Sequence, residues 1–236
     1  MTVEWARTGA VLGEAEGRLP SWLAPVAGVA GAITVDELTR FVPPHGEGRP
    51  SAVLILFGDQ RDVLLIQRAS TMRSHAGQPA FPGGALDPGD ADACAAALRE
   101  AQEETGLDPA GVVPFATLPD LWVPVTNYVV TPVLAWWRSP SPVWAQDPAE
   151  VASVHRVPIA DLVDPANRCR VRHPSGYVGP GFTVHDMLVW GFTGGLLSGL
   201  LDRVGWAVPW DESRVLPVAD PEIIDDPIVD GPPVDR

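Results

Sequence analysis

Three glutamates, Glu100, Glu103 and Glu104, stand in the stretch FPGGALDPGDADACAAALREAQEETGL, which runs from Phe81 to Leu107. Read as a helix at about 100° per residue, they fall within one arc of about 100°. Cys94, Ala97, Leu98, Ala101 and Thr105 occupy the adjoining arc, the side expected to pack on a sheet, so the acids are expected to face outward. Like charges this close destabilise a helix unless a cation sits among them, and a hard divalent cation such as Mg²⁺ takes oxygen ligands. Arg99, one turn before Glu103, can pair with it and fix its direction, leaving Glu100 and Glu104 for the metal. A solvated helix face would carry the same glutamates, so their spacing alone does not decide between the two readings.

The elements that must position these acids are legible on either side. Pro82, Gly83 and Gly84 form a turn whose glycines let the backbone come close to a ligand. Asp90 or Asp92 can cap the helix by accepting an orphan N–H, and Gly106 can end it, which predicts a helix over roughly Asp92 to Thr105.

Gly84, Arg99, Glu100, Glu103, Glu104 and Gly106 together resemble the Nudix box, Gly-x5-Glu-x7-Arg-Glu-U-x-Glu-Glu-x-Gly-U, with Ala101 and Leu107 at the aliphatic positions. The first acidic position is Asp90 instead of Glu, and eight residues instead of seven separate it from Arg99. Immediately upstream, LLIQRASTMRSHAGQPAFPGG (Leu64 to Gly84) is similar to the second signature of the coenzyme A pyrophosphatase branch, LLTxR(S/A)x3Rx3Gx3FPGG, departing from it only at Ile66. That branch commonly carries the same Asp and the same extra residue. The resemblance implies an α+β Nudix fold, a mixed β-sheet sandwiched between helices. It implies a pyrophosphohydrolase using Mg²⁺ or Mn²⁺, with Glu100, Glu104 and Glu103 as metal ligands. Arg99, Glu103, Glu104 and Glu150 would be catalytic, with Glu103 the first choice for general base or third ligand and Glu150 the alternative, and Arg68, Arg73, Gly83 and Gly84 would meet the substrate.

At 236 residues, with 46% hydrophobic and 19% charged, the chain suits one globular domain with extensions, and 26 Pro and 23 Gly predict many loops. We expect an N-terminal extension over 1–50, the Nudix domain over 51–208 and an acidic, Pro-rich tail over 209–236. A net charge of −14 argues against a broad nucleic-acid surface and repels phosphate-bearing substrates unless metal and local arginines compensate. Cys94 and Cys169 lack CxxC spacing and predict neither a zinc site nor a disulfide framework, which suits a reducing, cytoplasmic setting. No basic, apolar leader and no apolar run of membrane-spanning length is seen, so no membrane association is expected; a homodimer is left open.

Along the chain, Thr34 to Val42 predicts a short helix capped by Thr34. Ala52 to Phe57 and Asp62 to Gln67 predict a buried hairpin, with Arg68 at its end. The loop Ala69 to Ala80 would bring Arg73, His75 and Gln78 to the Gly-rich turn; a planar guanidinium fork suits phosphate oxygens, though both arginines and the histidine would equally serve as surface residues. Val112 to Leu118, Trp122 to Val125 and Val129 to Trp137 predict further strands. Trp122, Tyr128, Trp136, Trp137 and Trp144 could stack an adenine or line a pantetheine groove, although strand aromatics are more often core. Glu150, before Val151, resembles a loop acid that in many Nudix domains lies near the metal, and a solvated acid would look the same. Arg168, Arg170 and Arg172 alternate along a predicted strand that turns at Pro174-Ser175-Gly176, a candidate anion patch or a solvent-facing surface. Thr183 to Arg203 carries helical spacing and is expected to cover the sheet face opposite the acidic helix.

The resemblance implies hydrolysis of the pyrophosphate of coenzyme A or acyl-CoA, a small-molecule nucleoside diphosphate derivative. A hydrolase of ADP-ribose or another dinucleotide is the rival within the class, and a non-enzymatic nucleotide sensor is the rival outside it.

Overall fold

The structure is a computed structural model that describes residues 5–12, 19–39, 48–70, 77–124 and 126–218. In chain order the strands are β1 (Ala10–Val11), β2 (Arg49–Phe57), β3 (Asp62–Arg68), β4 (Pro79–Ala80), β5 (Gly83–Ala85), β6 (Val112–Thr117), β7 (Leu121–Val123), β8 (Tyr128–Trp137), β9 (Val151–Pro158), β10 (Arg168–Arg172), β11 (Val178–Val184), β12 (Met187–Val189) and β13 (Val215–Pro217). The helices are α1 (Ala24–Ala30), α2 (Val35–Leu38), α3 (Ala93–Thr105), α4 (Ile159–Val163) and α5 (Gly191–Arg203).

The larger sheet runs β1-β6-β8-β2-β3-β4, with β5 added to β2, β7 to β8 and β9 to β3. It is mixed: β2 and β8 pair in parallel from Arg49↔Tyr128 to Phe57↔Trp136, and the other pairs are antiparallel. The expected hairpin of β2 and β3 is there, but the two strands share one register pair, Phe57↔Val63, before they part. Into the gap comes β5, which takes the edge of β2 with Val53↔Gly83, while β4 and β9 take β3. The parting of β2 and β3 is what admits the Gly-rich turn to the centre of the sheet.

Alternation along β2 sorts its side chains between two cores, because successive residues point to opposite faces. Ala52, Leu54 and Leu56, with Leu64, pack against Ala96, Ala97 and Ala101 of α3. Ile55 and Phe57, with Val63 and Leu65, pack against Val26 and Ala30 of α1 and Leu196, Leu197, Leu200 and Leu201 of α5. The sheet is therefore sandwiched between helices, and each fully buried Leu or Ile contributes about 1.5–3 kcal/mol. Thr34 begins α2 in a capping box with Glu37, whose Oε2 accepts from Thr34 N–H at 2.8 Å.

A second sheet follows the order β12-β11-β10-β13. It corrects the expectation of one helix over Thr183 to Arg203. Residues 183–189 belong to the β11/β12 hairpin, and α5 begins only at Gly191. His185 (φ 49°) and Asp186 (φ 61°) make the turn in the left-handed region that short hairpin loops require at both central positions. The buried residues of 182–189 alternate as Phe182, Val184, Met187 and Val189, a strand period resumed across the turn. The tail adds β13 in parallel to β10 through Val171↔Leu216, and residues 219–236 lie outside the described residues. Among the described residues no helix is long and apolar enough to cross a membrane.

Candidate active site

The acidic helix is fixed at both ends as its sequence implies. Asp92 Oδ1 accepts from Ala95 N–H at 2.9 Å, and Gly106 adopts φ 68° while its N–H reaches Gln102 O. The three glutamates do not share one environment. The Glu103 side chain is 59% exposed, Glu100 is 19% exposed, and Glu104 is only 5% exposed as a residue. The acid face thus runs from water at Glu103 to the sheet at Glu104, correcting the expectation of an outward cluster, because Glu104 borders the packed side through Ala101 and Thr105.

The turn supplies the reason Glu104 can sit there. Gly83 N–H donates to Glu104 Oε2 at 2.9 Å, and a Cβ on Gly83 would lie 2.3 Å from Ala52 O, so close backbone approach requires glycine there, while a Cβ on Gly84 would lie 2.5 Å from the Glu100 carboxylate and displace it. Burial pushes the Glu104 carboxyl up to about 7, with Gly83 N–H and the Arg68 charge pulling it down and Glu100 and Glu150 adding to the rise. Burial also raises Glu100, against the pull of Arg99 and with further push from Glu103 and Asp87.

Arg99 does more than orient Glu103. Its Nε and Nη2 donate to Asp90 Oδ1 and Oδ2 at 3.1 and 2.9 Å, its Nη1 reaches Glu100 at 2.9 Å and Glu103 at 3.1 Å, and Nη2 also meets Ala85 O. The bidentate pair raises the Arg99 pKa and holds Asp90 below the usual carboxylate range. Asp90 can therefore stand at the box's first acidic position despite the extra residue, since its partner is this guanidinium. The expectation that Arg99 serves Glu103 alone is too narrow.

Arg68 ends β3 within electrostatic range of Glu104. Its backbone is tied to Gln78 and Gly77, and Ala69 N–H donates to Glu150 O at 2.8 Å, which brings the Glu150 loop to the same corner. The Arg68 Nε is buried and has no hydrogen-bond partner among the described residues. Arg73 and His75 lie outside the described residues. A cavity of about 300 Å³ opens beside Arg68, Gly83 and Gly84.

A model described as NUDIX domain matches residues 48–174. The chain belongs to the Nudix family. A protein from Citrobacter koseri named uncharacterized Nudix hydrolase NudL is 37% identical over 191 residues, spanning 74% of this chain and 96% of that protein. A protein of the same name from Cronobacter sakazakii is 38% identical over 166 residues, spanning 66% of this chain and 83% of that one. Among solved structures, the Nudix hydrolase RenU from M. smegmatis is 19% identical, with 70% of this chain and 90% of that chain covered and a TM-score of 0.44.

Nudix hydrolases generally use divalent metal ions, and the donor set here suits one. Glu100 and Glu104 offer only carboxylate oxygens, and burial, with neighbouring acids adding to it, raises the proton affinity of both, a cost that a hard dication relieves. Among the described residues no three acidic, His or Cys side chains are already gathered for a metal, since Arg99 holds Glu100 and Gly83 holds Glu104.

The other candidates separate from this Nudix centre. Arg168 is 1% exposed and Arg172 is exposed, so the strand arginines form no single solvent-facing patch. Arg168 lies between the rings of Phe182 and Trp210, 4.6 and 4.9 Å from their centroids. Trp137 is core, with Arg156 over its ring; Trp122 donates to Asn127; Trp144 lies exposed against Gly106. Tyr128 does line the cavity, as do Trp190, Phe192 and Thr193, which no local motif announced.

Proposed function

We propose that this Nudix hydrolase cleaves the pyrophosphate bond of coenzyme A or acyl-CoA, giving adenosine 3′,5′-bisphosphate and (acyl-)4′-phosphopantetheine, with Mg²⁺ or Mn²⁺ and in a reducing, cytoplasmic setting. The observation that carries this reading is the junction of the two signatures. Arg68 from Leu64–Gly84 and Glu104 from the box interact across the turn at Gly83. A substrate diphosphate beside that turn would meet acid-borne metal on one side and a guanidinium on the other.

Glu100 and Glu104 would hold the cation, with Glu103 as a further ligand. When bound it supplies charge neutralisation and Lewis-acid polarisation of the diphosphate. Water attacks one phosphorus, the bridging P–O bond breaks, and the departing phosphate keeps the electron pair. The proton goes to a carboxylate. Of the two candidates, Glu150 is the one whose charge reaches Glu104, whereas Glu103 is held at the solvent edge by Arg99. We assign Glu150 as proton acceptor and Arg99 as the positioning residue for Glu100.

The test is turnover of coenzyme A, ADP-ribose and NADH with Mg²⁺ or Mn²⁺. The reading expects the highest kcat/KM on coenzyme A; preference for ADP-ribose would make the protein a dinucleotide hydrolase, and no turnover with tight nucleotide binding would make it a sensor. Arg73→Ala sharpens the result, since loss of a charge-assisted phosphate contact of about 1.5–3 kcal/mol should cut kcat/KM roughly ten- to a hundredfold. We expect that loss on coenzyme A and not on 3′-dephospho-coenzyme A. Equal loss on both would put Arg73 on the shared diphosphate.

A further inference from the structure

We propose that the cavity beneath the Gly83-Gly84 turn binds the uncharged, amide-bearing arm of coenzyme A, and that Phe192, with Trp190 and Thr193, sets the preference for that arm. The proposal rests on the coenzyme A reading of the same site. Gly83 N–H points its hydrogen bond at Glu104, while Gly83, Gly84 and Arg68 also line the cavity. A diphosphate held at the turn would therefore send one flanking group into this space.

Its chemistry suits a flexible, neutral chain. Val53, Phe81, Val123 and Val130 give hydrocarbon, the hydroxyls of Ser51 and Thr126 give scattered polar points, and Arg68 is the one charged side chain among the described lining residues. Among those residues no carboxylate lines it. Two of its aromatic rings already have a face covered: Arg49 lies 5.1 Å from the Tyr128 centroid, and His173 stacks on Trp190 at 5.8 Å. Rings used this way keep one free face at most, so neither can sandwich a purine with its covered side. A volume of about 300 Å³ stands at the small end of ligand pockets, room for a slender chain.

The far wall comes from beyond the matched residues 48–174. β12 packs beside β4, and Gly194 is clamped where a Cβ would lie 3.0 Å from Pro180 O and Val189 O, which fixes the start of α5 and so Phe192 and Thr193. The start of α5, held by β11 and β12, thus completes the cavity.

The experiment compares Phe192→Ala and Thr126→Phe, a cavity-filling change in a turn, with wild type on three substrates. These are coenzyme A; 3′-dephospho-coenzyme A, which keeps the arm and should respond as coenzyme A does; and ADP-ribose, which shares the adenosine diphosphate but lacks both the arm and the 3′-phosphate. Expected is a roughly tenfold rise in KM for coenzyme A, little change in kcat, and no change on ADP-ribose. Pantetheine itself, followed by calorimetry, should bind wild type and lose affinity in both variants. Equal losses on coenzyme A and ADP-ribose would put the nucleoside in the cavity and overturn the proposal, as would no loss on either. Should wild type fail to turn over coenzyme A, the functional reading falls by itself. Pantetheine binding, present and Phe192-dependent or absent, still decides the cavity.

Discussion

Glu104 and Arg168 are two ionisable groups taken almost out of water, and their surroundings treat them differently. Glu104 keeps one backbone N–H at 2.9 Å and one distant cation, Arg68, against two further acids, so burial leaves it short of compensation and its carboxyl rises to about 7. Arg168 has its faces covered by Phe182 and Trp210 and donates Nη2 to Ser198 Oγ at 2.8 Å, while Nε and Nη1 have no hydrogen-bond partner among the described residues. A broad, weakly hydrated guanidinium is stabilised by ring faces, whereas a carboxylate needs a positive charge brought to it. The arginine is a strut held by packing, although burial works against its charge too and lowers its proton affinity. The glutamate is a site that gains from a ligand.

The largest effect should come from removing the charge at Glu104. Glu104→Gln is expected to lower kcat by about a thousandfold or more and Glu150→Gln by about a hundredfold, within the range for lost metal or general-base function. Because the Glu104→Gln change relieves repulsion with Glu100 and Glu150, the metal-free variant should melt no lower than wild type. Wild-type turnover at saturating Mg²⁺ would end the assignment of Glu104 as a ligand.

Arg168→Ala should do the reverse. It removes packing between two rings and should cost about 3 kcal/mol in urea unfolding, with kcat per folded molecule unchanged. Arg168→Met, which fills the same space without a charge to desolvate, should recover most of that loss. A drop in kcat without a drop in stability would make Arg168 part of the active site after all.

The contrast also predicts a pH dependence for the metal-free protein. Folded Glu104 holds its proton to about 7, against 4.5 when unfolded, so the folded state carries the extra proton between those values and stability falls as pH rises through them. The full loss should be about 3.5 kcal/mol, at about 1.4 kcal/mol per pKa unit, of which about 2–3 kcal/mol falls between pH 5 and pH 7.5. Urea midpoints at pH 5 and pH 7.5 measure it, and Glu104→Gln should flatten the slope. A slope unchanged by that substitution would assign the effect to other groups.

What was legible in the sequence was local. The caps at Asp92 and Gly106, the alanines on the sheet side and the Arg99–Glu103 pair all lie within one helix and follow from spacing. Which glutamate turns inward was not legible, because it depends on Gly83, brought over by β5 from outside the helix. The same holds for Arg168, whose burial depends on Trp210, and for Phe192 and Thr193, carried to the cavity by a second sheet. Thr183 to Arg203 read as helix because Met187 and Trp190 fit that period, yet the left-handed pair His185-Asp186 turns the first third into a hairpin.

The smallest effect should fall on the most exposed acid. Glu103 shares the helix, the motif and the arc with Glu104, and differs by one residue step of about 100°. That step leaves its side chain 59% exposed, joined to Arg99 as an i,i+4 pair at 3.1 Å. Such exposed pairs are worth about 0.3–0.5 kcal/mol, and Arg99 keeps Asp90 and Glu100 without it. Glu103→Gln should therefore shift stability by less than about 0.5 kcal/mol and, at saturating Mg²⁺, kcat by no more than several-fold, far less than Glu150→Gln under the same conditions, its cost as a further ligand showing as weaker Mg²⁺ affinity. Steady-state kinetics of the two variants at matched Mg²⁺ decides the matter. If Glu103→Gln proves as damaging as Glu150→Gln or more so, Glu103 reaches the reacting water despite its exposure, and the proton acceptor belongs on the helix instead of the loop.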